Sequence, residues 1–411
     1  MKKNITRMLF AFCIIGVTLV ACNNDRDDGI ASATLQLNFD LEEGTPLPET
    51  LTVRFTNFAE SYVREVQVNP RESLDVFIDS LIPGVHAVFA TAEYQHETGI
   101  LVFSGSLPNV SIFEENTDLG ELTVTVAPPG TLIFKQIFYS GSRFPSSEDG
   151  TPGATYMFDN FFEIFNNGSS TVFLDGVAIT FIEPMSPTTN VGDWQEADSD
   201  YFVHAFHKVW QIPGSGTDYP LQPGESVVIA TRNINHQAAD INPNSPVDLS
   251  SAEFVTYTGH VNAVRGPNGI GMTMFALNPA QNVVAHWVPV IGGGAYIMFR
   301  QSGPIDPNNL GSRPGQNPRH LRILRSDVLD AVEGLANEAQ RATHKRMPIE
   351  LDAGSVVTTA FESEGVIRRV RDTREDGTPI FYDTNNSTYD FVVGTPQIRQ
   401  HGARRPAWAT W

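Results

Sequence analysis

His204 and His207, in YFVHAFHKVW at 201–210, are the chain's nearest approach to a metal-binding pair. Three residues apart, they would share a helical face and supply two nitrogens to a zinc-like ion. On a strand they would point to opposite faces, and the aromatic surroundings favour a packed strand. The intervening residues are Ala205 and Phe206, so no His-Glu-x-x-His core is present. Asp383, Asn385, Asn386 and Asp390, in DTNNSTYD, gather oxygen donors that could hold calcium, the one cofactor the residue types suggest. They lack the spacing and the Gly-Glu ending of a twelve-residue calcium loop. An Asx-rich turn before a last strand is the favoured reading, and no cofactor is expected. Arg313, Arg319, Arg322 and Arg325, in SRPGQNPRHLRILR at 312–325, could pair with an acidic ligand or partner, or neutralise the chain's own acidic surface. No Gly-x-Ser-x-Gly elbow exists. Gly214-Ser215-Gly216 lies in a Pro-Gly loop, and Gly292-Gly293-Gly294 leads into AYIMF rather than a helix start.

Charge narrows the function classes. The 411 residues carry 27 Lys and Arg against 47 Asp and Glu, a formal net charge of −20. A nucleic-acid binder needs a basic face, so that class is excluded. Two cysteines, Cys13 and Cys22, exclude a disulfide framework or a cysteine-rich zinc module. The acids crowd residues 22–310, and residues 311–411 are nearly balanced, so the C-terminal part meets either an acidic partner or the chain's own acidic part.

The N-terminus reads as an address. Lys2, Lys3 and Arg7 precede an apolar run over 8–20. That run is too short to cross a bilayer core of about 30 Å as a permanent helix, but it suits a secretory signal. Leu19-Val20-Ala21-Cys22 resembles the lipobox of bacterial lipoproteins, which implies a signal peptide over 1–21 and diacylglycerol with further acylation on Cys22. Asp25, Asp27 and Asp28 follow, in a flexible acidic tether over 22–29 that resembles the export signal of surface lipoproteins of the Bacteroides group. The address implies an outer-membrane location, lipid-anchored and surface-exposed, with the membrane as first partner and an outer-membrane protein as a second.

Residues 30–127 hold seven short, mostly alternating segments: ATLQLNF, LTVRFTN, REVQV, LDVFI, HAVFATAEY, GILVFSGS and GELTVTVA. Seven strands in under 100 residues predict a small β-sandwich. The turn Ile82-Pro83-Gly84 into Val85–Ala90 resembles transthyretin-like and carboxypeptidase-regulatory-like modules. Ala127-Pro128-Pro129-Gly130 is the expected domain boundary. Beyond it, Glu163-Ile164-Phe165-Asn166-Asn167, Leu174-Asp175-Gly176, Leu221-Gln222-Pro223-Gly224-Glu225 and Asp390-Phe391 resemble, in that order, the lamin-tail domain of secreted bacterial proteins. The resemblance implies an expanded β-sandwich over 131–400, with insertions over 181–217 and 231–365. One helix is expected in the second insertion, capped by Ser326, with Val328, Leu329, Val332, Leu335, Ala336 and Ala339 on one face and Pro348 as its stop. Taken whole, the chain resembles an uncharacterised Bacteroides-group lipoprotein family, domain of unknown function 4876.

The expectation is therefore a mainly β, lipid-anchored surface protein that binds or presents something. The alternative is a metal-assisted hydrolase in which His204 and His207 meet a third ligand. Replacing Cys22→Ala should abolish fatty-acid labelling and release the protein from membranes. Retention of the unlabelled variant in the membrane fraction would contradict the lipobox reading.

Overall fold

The computed structural model describes residues 30–411 apart from 42–43, 58, 61, 97–98, 128–129, 189–201, 277–286, 302, 313–316, 318, 342 and 349. All seven segments predicted before residue 128 are strands: β1 (Ala31–Asp40), β2 (Leu51–Asn57), β3 (Tyr62–Val68), β4 (Asp75–Leu81), β5 (Gly84–His96), β6 (Gly99–Ile112) and β7 (Thr117–Ala127). Alternation makes them strands. In β2 every second residue, Leu51, Val53 and Phe55, is fully buried while the residues between face outward. Their hydrogen-bonded order is β3-β2-β5-β6-β7-β1-β4. Between β6 and β7 the pairing lasts only from Val102 to Ser104. Residues from both sides of this short pairing, Leu37, Val53, Phe55, Phe103 and Val124, share one core. The outer edges meet, with the Tyr62 hydroxyl donating to the Ser80 carbonyl at 2.6 Å and Arg64 3.6 Å from Asp79.

The following strand, β8 (Leu132–Phe138), opens a separate set of cores. It lies inside a seven-stranded sheet with Phe161–Asn166, Ser226–Ala230, Gly365–Arg368 and Phe391–Gly394 among its strands. A six-stranded sheet containing Ala178–Phe181, Lys208–Gln211, Ala295–Phe299 and Val328–Leu335 packs against it. Phe134, Phe162 and Ile164 from the first sheet meet Ile179, Trp210, Met298 and Val332 from the second. A third layer, Phe202–Ala205 with His320–Leu324 and Leu310–Gly311, covers the far face of the six-stranded sheet through Val203, Ala205, Leu321 and Ile323. The two predicted insertions thus supply strands: they build most of the second sheet and all of the third layer.

The helix expected after Ser326 is not formed. Arg325–Asp327 is a single 3-10 turn, and Val328–Leu335 is a strand paired with Ala295–Phe299 and Val356–Val357. Asp330 and Glu333 explain the error. Three apart, they fall on one polar face of a hypothetical helix, but on a strand they point to opposite faces. Both faces are buried, and each carboxylate meets an arginine from elsewhere. Glu333 receives the Arg346 side-chain Nε at 2.7 Å and the backbone N–H groups of Arg346 and Met347. Asp330 points at the facing sheet, where Arg368 donates to it.

Arg368 occupies a dense junction. Its Nε donates to the Phe134 carbonyl at 2.9 Å, and its Nη1 to the Tyr382 carbonyl and Asp383 Oδ1, each at 2.9 Å. Asp390 lies 3.5 Å away, and the guanidinium sits 4.4 Å from the centre of the Phe391 ring. The Gly365–Arg368 strand pairs with β8 only at Gln136 and Ile137. Past that point the Phe134 carbonyl takes Arg368, and its N–H takes Asp330 Oδ2 at 2.6 Å, so side chains continue the ladder. Burial, offset by Arg368 and reinforced by Asp383, pushes Asp330 and Asp390 up to about 7. Around a separate corner, Asp159 accepts from the Ser142 and Ser245 hydroxyls, and burial raises it to about 6. His236 hydrogen-bonds the Tyr156 hydroxyl at 2.7 Å and the Arg232 carbonyl at 3.0 Å, and burial lowers it to about 4.

Two outcomes follow for stability. Arg368→Ala leaves three buried carboxylates without their cation and should cost about 3–5 kcal/mol in urea unfolding. A loss under about 1 kcal/mol would contradict a buried ion-paired junction. The carboxylates Asp330, Asp390 and Asp159 bind protons more tightly folded than unfolded, so the stability they add is complete at low pH and is lost as pH rises through about 6–7. His236 works the other way, but only below its unfolded value of 6.5. Between pH 8 and 6.5 the melting temperature should therefore rise on acidification, by about 2–4 °C per kcal/mol gained. Calorimetry showing a fall over that interval would contradict the assignment.

Candidate functional site

The sequence-predicted residues do not converge on one centre. Cys22 and Arg313 lie outside the described residues. His204, buried on the Phe202–Ala205 strand, faces Arg322 in register across to His320–Leu324. Its Nε2 lies against Gly311, where an added Cβ would come within 2.6 Å of it, so the third layer closes on a glycine. His207 stands at the bend between two strands, with φ +65°. Its ring stacks on Phe206 and on His320, whose centroid is 5.4 Å away. Burial, then the proximity of His320 and Arg319, lowers His207 to about 4, so it is neutral near pH 7. His320 is fully buried, 3.4 Å from Glu183. Among the described residues no three His, Cys, Asp or Glu side chains gather at metal-ligand distance.

The oxygen-rich turn at 383–390 is turned inward. Asp383 accepts from Arg368 and, through Oδ2, from the Gly130 N–H at 2.6 Å. Asp390 accepts from the Thr384 N–H and hydroxyl, each at 2.8 Å. The Asn386 side chain caps the short helix Ser387–Asp390 by accepting from the Thr388 and Tyr389 N–H groups. These contacts are those of the Asx-rich turn. Ser215 likewise closes a loop, donating to Asp218 from both its N–H and its hydroxyl.

A cleft of about 400 Å³ opens where the seven N-terminal strands meet the larger body. One wall carries Ser104, Ser106 and Leu107 of β6 with Glu121, Thr123 and Thr125 of β7; the other carries Glu350, Ala353 and Asn385. Gly105 lies in its floor, where a Cβ would fall on the Thr123 carbonyl oxygen. Only glycine lets β6 and β7 approach so closely beyond their paired residues. A side recess of about 150 Å³ runs to Asp330 and Asp383, and another of about 50 Å³ to Arg54, Arg341, Lys345 and Tyr389. The recess cations are engaged. Arg54 binds Glu65 and lies 4.9 Å over the Tyr389 ring, Lys345 donates to the Gly354 carbonyl at 2.8 Å, and Arg341 bonds Glu338 and Ser355. Arg371 reaches Glu93 at 3.4 Å, a further tie between the two parts. At the rim, Arg325 lies 3.4 Å from Glu350. Arg325 is thus the one predicted arginine that the structure places at the cleft. Arg319 is exposed beside His207, and Arg322 is half-buried on the third layer.

The cleft offers hydroxyls, two carboxylates and a carboxamide around a small apolar floor. Among the described residues that line it there is no histidine or cysteine, and the two carboxylates, Glu121 and Glu350, both face solvent. That is an arrangement for holding a ligand by hydrogen bonds. Sequence reading missed it because its walls come from residues about 250 positions apart, with no local motif at any of them.

Residues 222–398 match a family model described as Protein of unknown function (DUF4876). No curated protein matches the chain. Among solved structures, the crystal structure of a DUF4876 family protein from Bacteroides thetaiotaomicron VPI-5482 is similar at 32% identity and a TM-score of 0.62, over 92% of this chain and 98% of that one. No helix among the described residues is long and apolar enough to cross a membrane. With a third of its residues shared along nearly the whole length of that relative, the chain belongs to the DUF4876 family.

Proposed function

We propose that this chain is a lipid-anchored protein of the bacterial outer-membrane surface that binds a hydroxyl-rich ligand, a saccharide, in the cleft between its N-terminal strands and its larger body. The cleft carries the reading. Its volume of about 400 Å³ suits a small ligand, and its Ser, Thr, Asn and Glu side chains present acceptors and donors to sugar hydroxyls. The lipobox-like Leu19-Val20-Ala21-Cys22 supports the anchor. We read the N-terminal strands as a transthyretin-like or Ig-like sandwich and the larger body as an expanded lamin-tail-like one. Two sets of contacts and one backbone angle support the second reading. Glu163 of the aromatic strand is paired with Lys135 at 2.9 Å, Asp175 of the Leu-Asp-Gly turn accepts three backbone N–H groups, and Gly224 of the Pro-Gly-Glu turn has φ +80°. The hydrolase alternative needs a third metal ligand to converge with His204 and His207, and among the described residues no three His, Cys, Asp or Glu side chains gather at metal-ligand distance.

A glycan microarray tests the binding. The full mature chain should retain a defined set of glycans, and Ser106→Trp, which fills the cleft from a half-buried position, should weaken that binding at least tenfold without changing the melting temperature. A blank array, or equal binding by the Trp variant, would contradict the assignment.

A further inference from the structure

The pole of the N-terminal domain from which the chain emerges is apolar. Ile30 is 62% exposed and Phe113 is 61% exposed, and Ile82, Val85 and Val63 are also outward-facing. These residues are far apart in sequence, but the pairing brings them to one end. Ala31 faces Leu81, which places Ile30 beside Ile82. Gly84 faces Ile112, which places Val85 near Phe113. The Ser32 N–H donates to the Glu114 carbonyl, and the Asn116 N–H donates to the Ser32 hydroxyl at 2.6 Å, so the turn after Phe113 is tied to the start of β1. Asn57 faces Tyr62, which brings Val63 to the same end. The opposite pole leads to the rest of the protein: β7 runs parallel to β1, with Asp40 facing Thr125, and the chain leaves it at Ala127. A ten-residue strand separates the poles by about 33 Å.

We propose that this pole is a membrane-contact face, in which Ile30, Ile82 and Phe113 insert into the headgroup region of a zwitterionic lipid surface. The inference rests on the anchor reading of Cys22. Only seven residues lie between Cys22 and Ile30, and the eight chain steps that join the two span at most about 28 Å. A diacylated Cys22 therefore holds this pole, and not the far one, within reach of the headgroups. Clustered Phe and Ile side chains are the kind that settle at the boundary of headgroups and acyl chains. Charge selects the lipid. Glu60, Glu114 and Glu115 are exposed at this pole, and Arg64, the one arginine there among the described residues, is paired with Asp79, so anionic headgroups would be repelled. Insertion at this end stands the N-terminal strands upright and carries the cleft and the larger body outward.

The mature chain has no cysteine besides Cys22, whose thiol the lipid consumes, so a single introduced cysteine can be labelled cleanly. Full-length lipidated Phe113→Cys, Ile82→Cys and, as far-pole control, Glu72→Cys are labelled with the environment-sensitive dye NBD. Each is reconstituted into phosphatidylcholine–phosphatidylethanolamine vesicles. Emission at 113 and 82 should rise at least twofold with a blue shift, emission at 72 should stay unchanged, and added phosphatidylglycerol should reduce the gain. Equal emission at 113 and 72 in a chain that still cofloats with vesicles would overturn the contact face and leave the anchor standing. Absence of fatty acid on Cys22 would overturn the anchor and the inference with it. A rise at 113 that follows protein concentration without vesicles would assign the pole to a second copy of the chain instead.

Discussion

A single guanidinium, that of Arg368, joins the parts of the larger body that pair poorly by backbone alone. It sits where the Gly365–Arg368 strand leaves β8, and it takes the Phe134 carbonyl that the strand no longer reaches. Its three carboxylate partners come from two directions: Asp330 from the facing sheet, Asp383 and Asp390 from the turn before the last strand. Asp383 in turn holds the Gly130 N–H, the first described residue after the boundary with the N-terminal strands. One cation facing three carboxylates is costly to bury, and the raised proton affinities of Asp330 and Asp390 express that cost. What the junction secures is geometry. It sets how the two sheets face each other and where residues 383–390 stand.

That placement reaches the cleft directly. Asn385, on the wall opposite β6, belongs to the turn whose ends are fixed by Asp383 and Asp390. Glu350 and Ala353 flank Asp352, which accepts from the Glu333 N–H and the Ser387 hydroxyl, linking the same turn to the Val328–Leu335 strand. The cleft is therefore a by-product of the charged interior: its outer wall is held by buried carboxylates, while its inner wall is the close approach of β6 and β7 that Gly105 permits. A site built this way is preformed, and a ligand entering it need not order the loops that line it.

The N-terminal strands were legible because each is half-buried and alternates, as Leu51, Val53 and Phe55 do in β2. The turn chemistry after residue 130 was legible for the same local reason: Gly224 takes a positive φ and Asp175 gathers N–H groups from a nearby loop. The Val328–Leu335 strand was not legible, because a strand buried on both faces with an acid on each mimics an amphipathic helix. Only the remote partners, Arg346 and Arg368, show that Asp330 and Glu333 are interior. The third layer hid in the same way, since His204 and Arg322, 118 positions apart in sequence, stand in register only in the folded chain. The cleft left no trace in any single segment.

Hydrogen exchange read by mass spectrometry tests most directly whether the Arg368 junction governs the larger body. In the native chain the amides of 130–138 and 383–390 should be strongly protected. In Arg368→Lys, which keeps the charge but not the planar fork, both segments should lose protection together, while β1 to β7 exchange as before. Loss of protection in one segment without the other, or unchanged protection in both, would contradict the account.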